Sequence, residues 1–393
     1  MAKRRQRRTT SVRERREAEV SSLPALSQLS DLPEWGELEP SEEQRRAHEH
    51  CAARLVAEGL PREELHIACV VRLDRGFPAL LWEGGVVRAE FAAQLTKGEY
   101  SRVAVGDWVS LRVPEGHEMG LIQEILPRKS DIARWRGGSR GEKQTLAANV
   151  DVVLVVAALG EAGISLDRMA RSAVITRDCG ADVAFVLTKA DRSTPDELTE
   201  ILRSIAATLG DVRVVVTCSQ KGDAAAMDDL RAAARARGAT WGEEGLRALV
   251  PAGIVAIMLG ESGAGKSTLL NTLLGREVLE TGAVRARDDR GRHTTVTRRM
   301  VLLPGAGIIV DAPGLRSLPI VGHERGLGLV FGEVREAAQA CRFRDCTHTH
   351  EPGCAVRALL DAEAVTSERV NAYISLAREM RESANSIDPD IVI

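Results

Sequence analysis

Aromatic side chains are scarce: Phe, Trp and Tyr together make up 3% of the chain. Its cores must therefore be built from Val, Leu, Ile and Ala. Long apolar runs are missing too. The longest, Val150–Leu159, is interrupted by Asp151, and a bilayer span needs about 20 apolar residues. Nothing like a secretory signal opens the chain, because Met1-Ala2-Lys3-Arg4-Arg5 is followed by no apolar core. A soluble, cytoplasmic protein without a membrane partner is expected. Neither sign of charge dominates. The formal net charge of -3 excludes a protein that coats a polyanion uniformly, but leaves local patches open. The seven cysteines are odd in number; Cys341, Cys346 and Cys354 cluster, and the rest are scattered. That excludes a disulfide framework and points to one metal site in a reducing compartment.

A length of 393 residues allows two or three domains, and 44% hydrophobic content is that of a globular chain. Residues 1–64 read as a basic flexible tail and linker with a possible helix at Glu42–Gly59. The first sixteen residues carry eight Lys or Arg against one Glu, a block that is either solvated or a polyanion-seeking arm. Across 65–130, five short β-type runs alternate with turn signals, as in a small OB-fold barrel. Residues 131–148 read as a basic linker. From 149 to 319, continuous apolar strands alternate with helices, which argues for a parallel sheet covered on both faces. Residues 320–385 carry helical patches and a Cys/His cluster, and 386–393 read as a tail. The expected fold class is multidomain α/β: barrel, central α/β domain, helical metal domain.

The strongest motif is Gly260-Glu261-Ser262-Gly263-Ala264-Gly265-Lys266-Ser267-Thr268. It fits G-x-x-x-x-G-K-[ST], follows a strand-like run and opens a helix-like one. Glycines let successive N–H groups converge on phosphate, and the helix adds its positive end. Lys266 would reach the β- and γ-phosphates, and Ser267 would hold Mg²⁺.

Thr188-Lys189-Ala190-Asp191 ends a buried strand, where open α/β sheets bind ligands. A carboxylate there can accept from both the ring N–H and the exocyclic amine of guanine, a donor pair that adenine lacks. The pattern resembles the guanine motif Asn-Lys-x-Asp with Thr188 in place of Asn, so one amide is lost. Asp311-Ala312-Pro313-Gly314 ends a later strand. Asp311 would hold Mg²⁺ through water, and the Gly314 N–H would sense the γ-phosphate. Between them, Arg290-Gly291-Arg292-His293-Thr294-Thr295 supplies a switch loop, with Thr295 as the candidate second Mg²⁺ ligand. In ordinary GTPases the phosphate loop comes first. Here the base motif precedes it, so the domain reads as circularly permuted.

The spacing Cys341-x₄-Cys346-x-His348-x₅-Cys354 offers three thiolates and an imidazole, which suit tetrahedral Zn²⁺. Four protein ligands leave no open position, so the site reads as structural. His350 is a competing ligand.

These motifs together resemble the circularly permuted GTPases of small-ribosomal-subunit biogenesis, the RsgA/YjeQ type. Thr281-Gly282-Ala283-Val284-Arg285, Asp311 to Arg316 and Cys341 to His348 carry much of that likeness. It implies an OB-fold, a central GTPase and a zinc domain that bind the small subunit and its rRNA late in assembly. The ribosome would stimulate conversion of GTP to GDP and phosphate by a monomeric protein. A water-orienting Gln often follows Asp-x-x-Gly. Leu315 stands there, so slow intrinsic hydrolysis is expected. His293 is the candidate that completes the site, with a solvent-facing loop histidine as the alternative; Lys266 and Thr295 would share the catalytic charge work. Rival readings are a GTP-dependent RNA- or protein-binding regulatory module with little turnover, and a GTP-driven metallochaperone.

Overall fold

The computed structural model describes residues 31–74, 77–92, 103–136, 142–160, 163–218, 224–276, 297–312 and 322–387, with Leu26, Leu29 and Ile320. The expected switch residues Arg290–Thr295 (with His293 and Thr295), the Thr281–Arg285 motif, and Gly314 and Leu315 lie outside the described residues.

Five strands close a barrel: β1 (Leu65–Asp74), β2 (Phe77–Trp82), β3 (Gly85–Phe91), β4 (Trp108–Arg112) and β5 (Met119–Ile125). β1 pairs with β2 and β4, β2 with β3, β3 in parallel with β5, and β5 with β4, which completes the ring. This is the OB-like barrel expected from the short alternating runs. Small and branched side chains fill it, including Ala68, Val70, Leu80, Val109 and Ile122. A register shift falls between Val70 and Arg72; beyond it β1 stays paired with β2, while its other edge pairs with a later strand through Arg72 and Leu73.

The stretch before the barrel is not wholly a tail. α1 (Glu42–Ala57) starts at a Ser41 capping box closed by Gln44. It buries Gln44, His48, Cys51, Ala52 and Leu55, one face at helical spacing, against β1 and β4. The Gln44 amide donates to the Pro127 carbonyl at 2.8 Å and to Asn149 Oδ1 at 3.0 Å. Upstream, Trp35 meets Trp108 edge-on at 5.8 Å, and the Leu302 N–H donates to the Asp31 carbonyl at 2.9 Å. Ser-, Pro- and acid-rich composition reads as linker, yet a few apolar anchors hold this segment down.

Residues 131–148 likewise form no simple linker. β6 (Asp131–Arg136) and β7 (Glu142–Ala148) pair as an antiparallel ribbon. Its buried end carries Ile132, Leu146 and Ala147. Arg128 anchors it, donating to Asp107 Oδ1 at 2.7 Å and Thr145 Oγ1 at 2.7 Å. Counting basic residues hides such pairing, because the ladder bonds come from the backbone.

The central sheet holds β8 (Val152–Ala158), β9 (Asp182–Thr188), β10 (Arg213–Val216), β11 (Thr240–Trp241), β12 (Val255–Leu259), β13 (Arg298–Leu302) and β14 (Ile308–Asp311). Their order is β11-β10-β9-β8-β12-β14-β13, and only β13 runs antiparallel to its neighbour β14. Helices α2 (Leu166–Asp178), α3 (Pro195–Leu209), α4 (Ala224–Ala236), α5 (Gly242–Leu249) and α6 (Lys266–Leu274) belong to this domain. One core lies around Val153, Phe185 and Ile257, the other around Leu154, Val186 and Leu270. β13 also pairs with β1, so barrel and central domain share one continuous twelve-stranded sheet.

The C-terminal part follows as α7 (Glu324–Val330), α8 (Gly332–Gln339), α9 (Ala355–Asp361) and α10 (Ser367–Ile387). α7 docks on α2. A Cβ at Gly326 would meet the Val174 carbonyl at 2.1 Å, so only glycine allows that approach. Asp178 accepts from the Gly326 N–H at 2.8 Å and lies 2.8 Å from His323 Nδ1. Among the described residues no helix is long and apolar enough to cross a membrane.

Candidate nucleotide site and metal centre

β12 delivers the chain to Gly260, and α6 begins at Lys266. The turn between them needs its glycines. Gly263 and Gly265 lie at φ of 81° and 93°, in the left-handed region. A Cβ at Gly260 would stand 2.4 Å from the Val156 carbonyl oxygen. Lys266 curls over its own loop and donates to the Gly260 and Glu261 carbonyls, the latter at 2.7 Å. Ser267 and Thr268 occupy the first turn of α6, the end whose free N–H groups favour anions.

The base motif arrives from the other side of β8. β9 ends at Thr188, opposite Ala158, and Lys189 follows at φ of 58°. The Thr188 hydroxyl donates to the Ala264 carbonyl at 2.7 Å, and Lys189 Nζ donates to the Gly263 carbonyl at 2.7 Å. Asp191 is held from the next strand: Cys218 Sγ lies 2.8 Å from Asp191 Oδ1, and the Ala190 N–H donates to the Thr217 carbonyl at 3.2 Å. Residues 188–191, 217–218 and 260–266 therefore meet at the C-terminal ends of parallel strands. The Thr188 hydroxyl thus links the base motif to the phosphate loop.

Asp311 ends β14, whose Val310 pairs with Ile257 of β12, one strand from the phosphate loop. Two contacts had no sequence signal. One is the Cys218–Asp191 bond. The other is an ion pair between Arg168, early in α2, and Glu261 of the loop. Only the Ser165 cap marks the start of that helix, and a cap says nothing of what the next turn touches.

At the other end of the chain, Cys341, Cys346, His348 and Cys354 bring one ligand atom each to within 4.8 Å of one another. Cys341 Sγ is 3.8 Å from Cys354 Sγ and 3.5 Å from His348 Nδ1, and Cys354 Sγ is 3.6 Å from that nitrogen. Tetrahedral zinc bonds of about 2.3 Å to sulfur and 2.0–2.1 Å to nitrogen give ligand edges of about 3.8 and 3.6 Å. The donor set fits that ion in chemistry and in size. His350 stands apart, with Nδ1 at 2.8 Å from Thr349 Oγ1. Burial pushes the Cys346 thiol up to about 12, with the neighbouring thiols of Cys354 and Cys341 adding to the rise. Burial also lowers the basicity of His348, which keeps its ring neutral and ready to ligate.

A family model described as RsgA GTPase matches residues 125–321. A Streptomyces avermitilis protein named small ribosomal subunit biogenesis GTPase RsgA is 38% identical, over 79% of this chain and 78% of its own length. The chain belongs to the RsgA GTPase family. A relative of the same name from Xanthomonas campestris is 36% identical over 73% of this chain and 72% of its own. Among solved structures, YjeQ from Thermotoga maritima matches with a TM-score of 0.57 at 21% identity, covering 81% of this chain and 99% of that one. YloQ, described as a circularly permuted GTPase, matches with a TM-score of 0.54 at 21% identity, covering 81% and 96%.

The permuted order of an RsgA GTPase explains the connections seen here. The half that carries the Thr188–Asp191 motif, β8 to β10, comes first in the chain, and β12 then enters the Gly260–Lys266 loop from the middle of the sheet. The chain leaves Asp311 toward α7 and the metal cluster, and α7 returns to pack on α2, the helix that also carries Arg168. Nucleotide loop and metal domain are thus two contacts on one helix.

Proposed function

We propose that this protein hydrolyses GTP on the small ribosomal subunit during late maturation, in the cytoplasm and as a monomer. The observation that carries the reading is the meeting of Thr188 and Lys189 with the phosphate loop, which supports Asp191 as the acceptor for a guanine bound there. Water attacks the γ-phosphorus, the bond to the β–γ bridging oxygen breaks, and GDP leaves with that electron pair. Little covalent work falls to the protein, so positioning and charge neutralisation dominate. Lys266 and the start of α6 take the phosphate charge. Ser267 and Thr295 would hold Mg²⁺, with Asp311 reaching it through water, and the ion would offset phosphate charge. Asp191 selects guanine, and the Gly314 N–H reports the γ-phosphate. The Cys341, Cys346, His348 and Cys354 set would hold one structural Zn²⁺, tying the ligand loop to the apolar core that contains Cys346, Cys354, Val356 and Tyr373.

Leu315 cannot orient water, so hydrolysis is slow until the subunit docks the switch loop with His293. The test is turnover with and without purified small subunits. A rise of tenfold or more supports the reading, and an unchanged rate sinks subunit stimulation. Turnover that stays near zero even with subunits favours a regulatory clamp. Unaltered stimulated turnover in His293→Ala removes that residue from the mechanism. A metallochaperone is disfavoured, because all four positions around the ion are filled by protein.

A further inference from the structure

The junction between barrel and GTPase domain is short and carries like charges. β1 and β13 pair through Arg72 with Arg299 and Leu73 with Arg298. On the other edge of β13, Arg299 pairs with Asp311. Residues directly opposite in antiparallel strands point to the same face, with Cβ atoms about 4.5–5.5 Å apart. Asp311, Arg299 and Arg72 therefore form one row across three strands.

The row continues into the barrel. Arg72 Nε donates to both oxygens of Asp74 at 2.9 Å, and Arg88 donates to Asp74 Oδ2 at 3.0 Å. Asp74 is buried, so its charge is committed to these two guanidiniums. Arg72 is thereby satisfied from the barrel side. Arg299 is half-buried, stands opposite Asp311 in the ladder and feels its charge from the GTPase side. Burial weakens its hold on the proton, Asp311 opposes that, and Arg72 and Arg276 add to it. Two arginines opposite each other repel, and the pairing tolerates this only while carboxylates flank them on both sides.

We propose that Arg299 is a positioning residue that couples Asp311 to the barrel, so that Mg²⁺ at the nucleotide loosens the β1–β13 junction. This rests on the reading of Asp311 as the carboxylate facing Mg²⁺. When Mg²⁺ arrives, Asp311 turns its charge toward the ion. Arg299 then faces Arg72 with less compensation, and the two-pair ladder weakens. By reciprocity, a partner that draws the barrel away from β13 takes Arg72 from Arg299, releases Asp311 from compensating the pair, and raises affinity for the Mg²⁺ nucleotide by the same factor. The barrel thereby senses the metal-loaded state without touching nucleotide.

The test is amide hydrogen exchange on the full chain loaded with a nonhydrolysable GTP analogue, with and without Mg²⁺. Native protein should show exchange in residues 70–74 and 298–302 several-fold faster with Mg²⁺. In Arg299→Gln that response should shrink below twofold, while Mg²⁺-dependent protection of residues 265–268 persists; Arg299→Lys should restore it. Arg72→Gln, which removes the repelling partner from the barrel side, should also abolish it. A full response in Arg299→Gln or Arg72→Gln, or none in the native chain, overturns the proposal. Asp311→Asn separates the two readings. If Mg²⁺ still protects 265–268 as in the native chain, the Mg²⁺ role of Asp311 falls. If that protection is lost while Arg299→Gln keeps the junction response, only the coupling falls.

Discussion

The Thr188 hydroxyl donates across 2.7 Å to the carbonyl of Ala264, binding the strand end that bears Asp191 to the middle of the phosphate loop. Both groups are buried, so the bond is not exchanged freely with water. A bond of this kind contributes about 1 kcal/mol net. Thr188→Ala should therefore raise the Kd for both GTP and GDP by about fivefold, and Thr188→Ser should recover most of the loss. Titration with a fluorescent GDP checks this; equal affinity in all three proteins would show that the link does not shape the site.

Base choice tests Asp191. Its carboxylate, aligned by Cys218 at 2.8 Å, is the proposed acceptor for two guanine N–H groups. Asp191→Asn replaces one acceptor by a donor. Hydrogen bonds to a charged group are worth about 2 kcal/mol, so GTP affinity should fall about thirtyfold while XTP affinity rises. Competition between the two nucleotides reads the switch, and retained GTP preference would contradict the assignment.

The parts of this protein visible in its sequence are those where function dictates residue type at fixed spacing. Gly260 to Ser267 carry the glycine spacing of a phosphate-binding turn, and Cys341 to Cys354 the ligand spacing of a metal loop, so each announces itself locally. The barrel was legible because turn glycines punctuate its short strands. Less visible was whatever depends on a distant surface. Trp35 and Leu55 look like stray apolar residues until Trp108 and Leu65 are placed beside them. The β6–β7 ribbon carries a basic sequence, and its pairing resides in backbone groups that every residue has. The Arg168–Glu261 pair joins segments almost a hundred residues apart, and no periodicity encodes it.

Metal uptake should be coupled to protons. The Cys346 thiol, held up near 12 by its burial and its neighbouring thiols, must lose its proton to bind zinc. Affinity should therefore fall as pH falls, and zinc added to weakly buffered metal-free protein should release protons. One zinc per chain is expected, with Cys346→Ser lowering that ratio. Chelation should lower the thermal midpoint and expose Val356 and Tyr373, which pack in the same core as Cys346 and Cys354. A chain that melts identically with and without zinc would exclude a structural role.

Asp74 sets an acid limit on the barrel. Burial opposes its ionisation, but bonds from Arg72 and Arg88 win and hold its carboxyl below the usual range. A depressed carboxyl contributes stability that is present above its unfolded pKa, about 3.9, and disappears as pH falls through the lower folded value. Unfolding free energy should thus be steady near neutrality on this account and drop below about pH 4. Asp74→Asn should cost about 3–5 kcal/mol at neutral pH, since two poorly exposed guanidiniums lose their partner. It should also flatten the acid slope. Urea unfolding at several pH values measures both.

The helix before the barrel offers a test with an internal control. Leu55 is 1% exposed and packs with Cys51, Ala52 and Leu65, whereas Val56, next in sequence, is 41% exposed. Truncating a buried leucine removes its transfer energy and leaves a cavity, a loss of about 2–5 kcal/mol. Truncating an exposed valine on a helix surface should change stability by less than about 0.5 kcal/mol. Leu55→Ala should therefore lower the urea midpoint of the barrel clearly, and Val56→Ala should leave it in place. If this segment were only a loose leader, both variants would unfold with the native chain. The loss should also disappear in a chain truncated through residue 59, because the cavity it creates lies between α1 and β1. That truncated protein should itself be less stable, with the buried Ser110 hydroxyl deprived of His48 Nδ1, its partner at 3.0 Å.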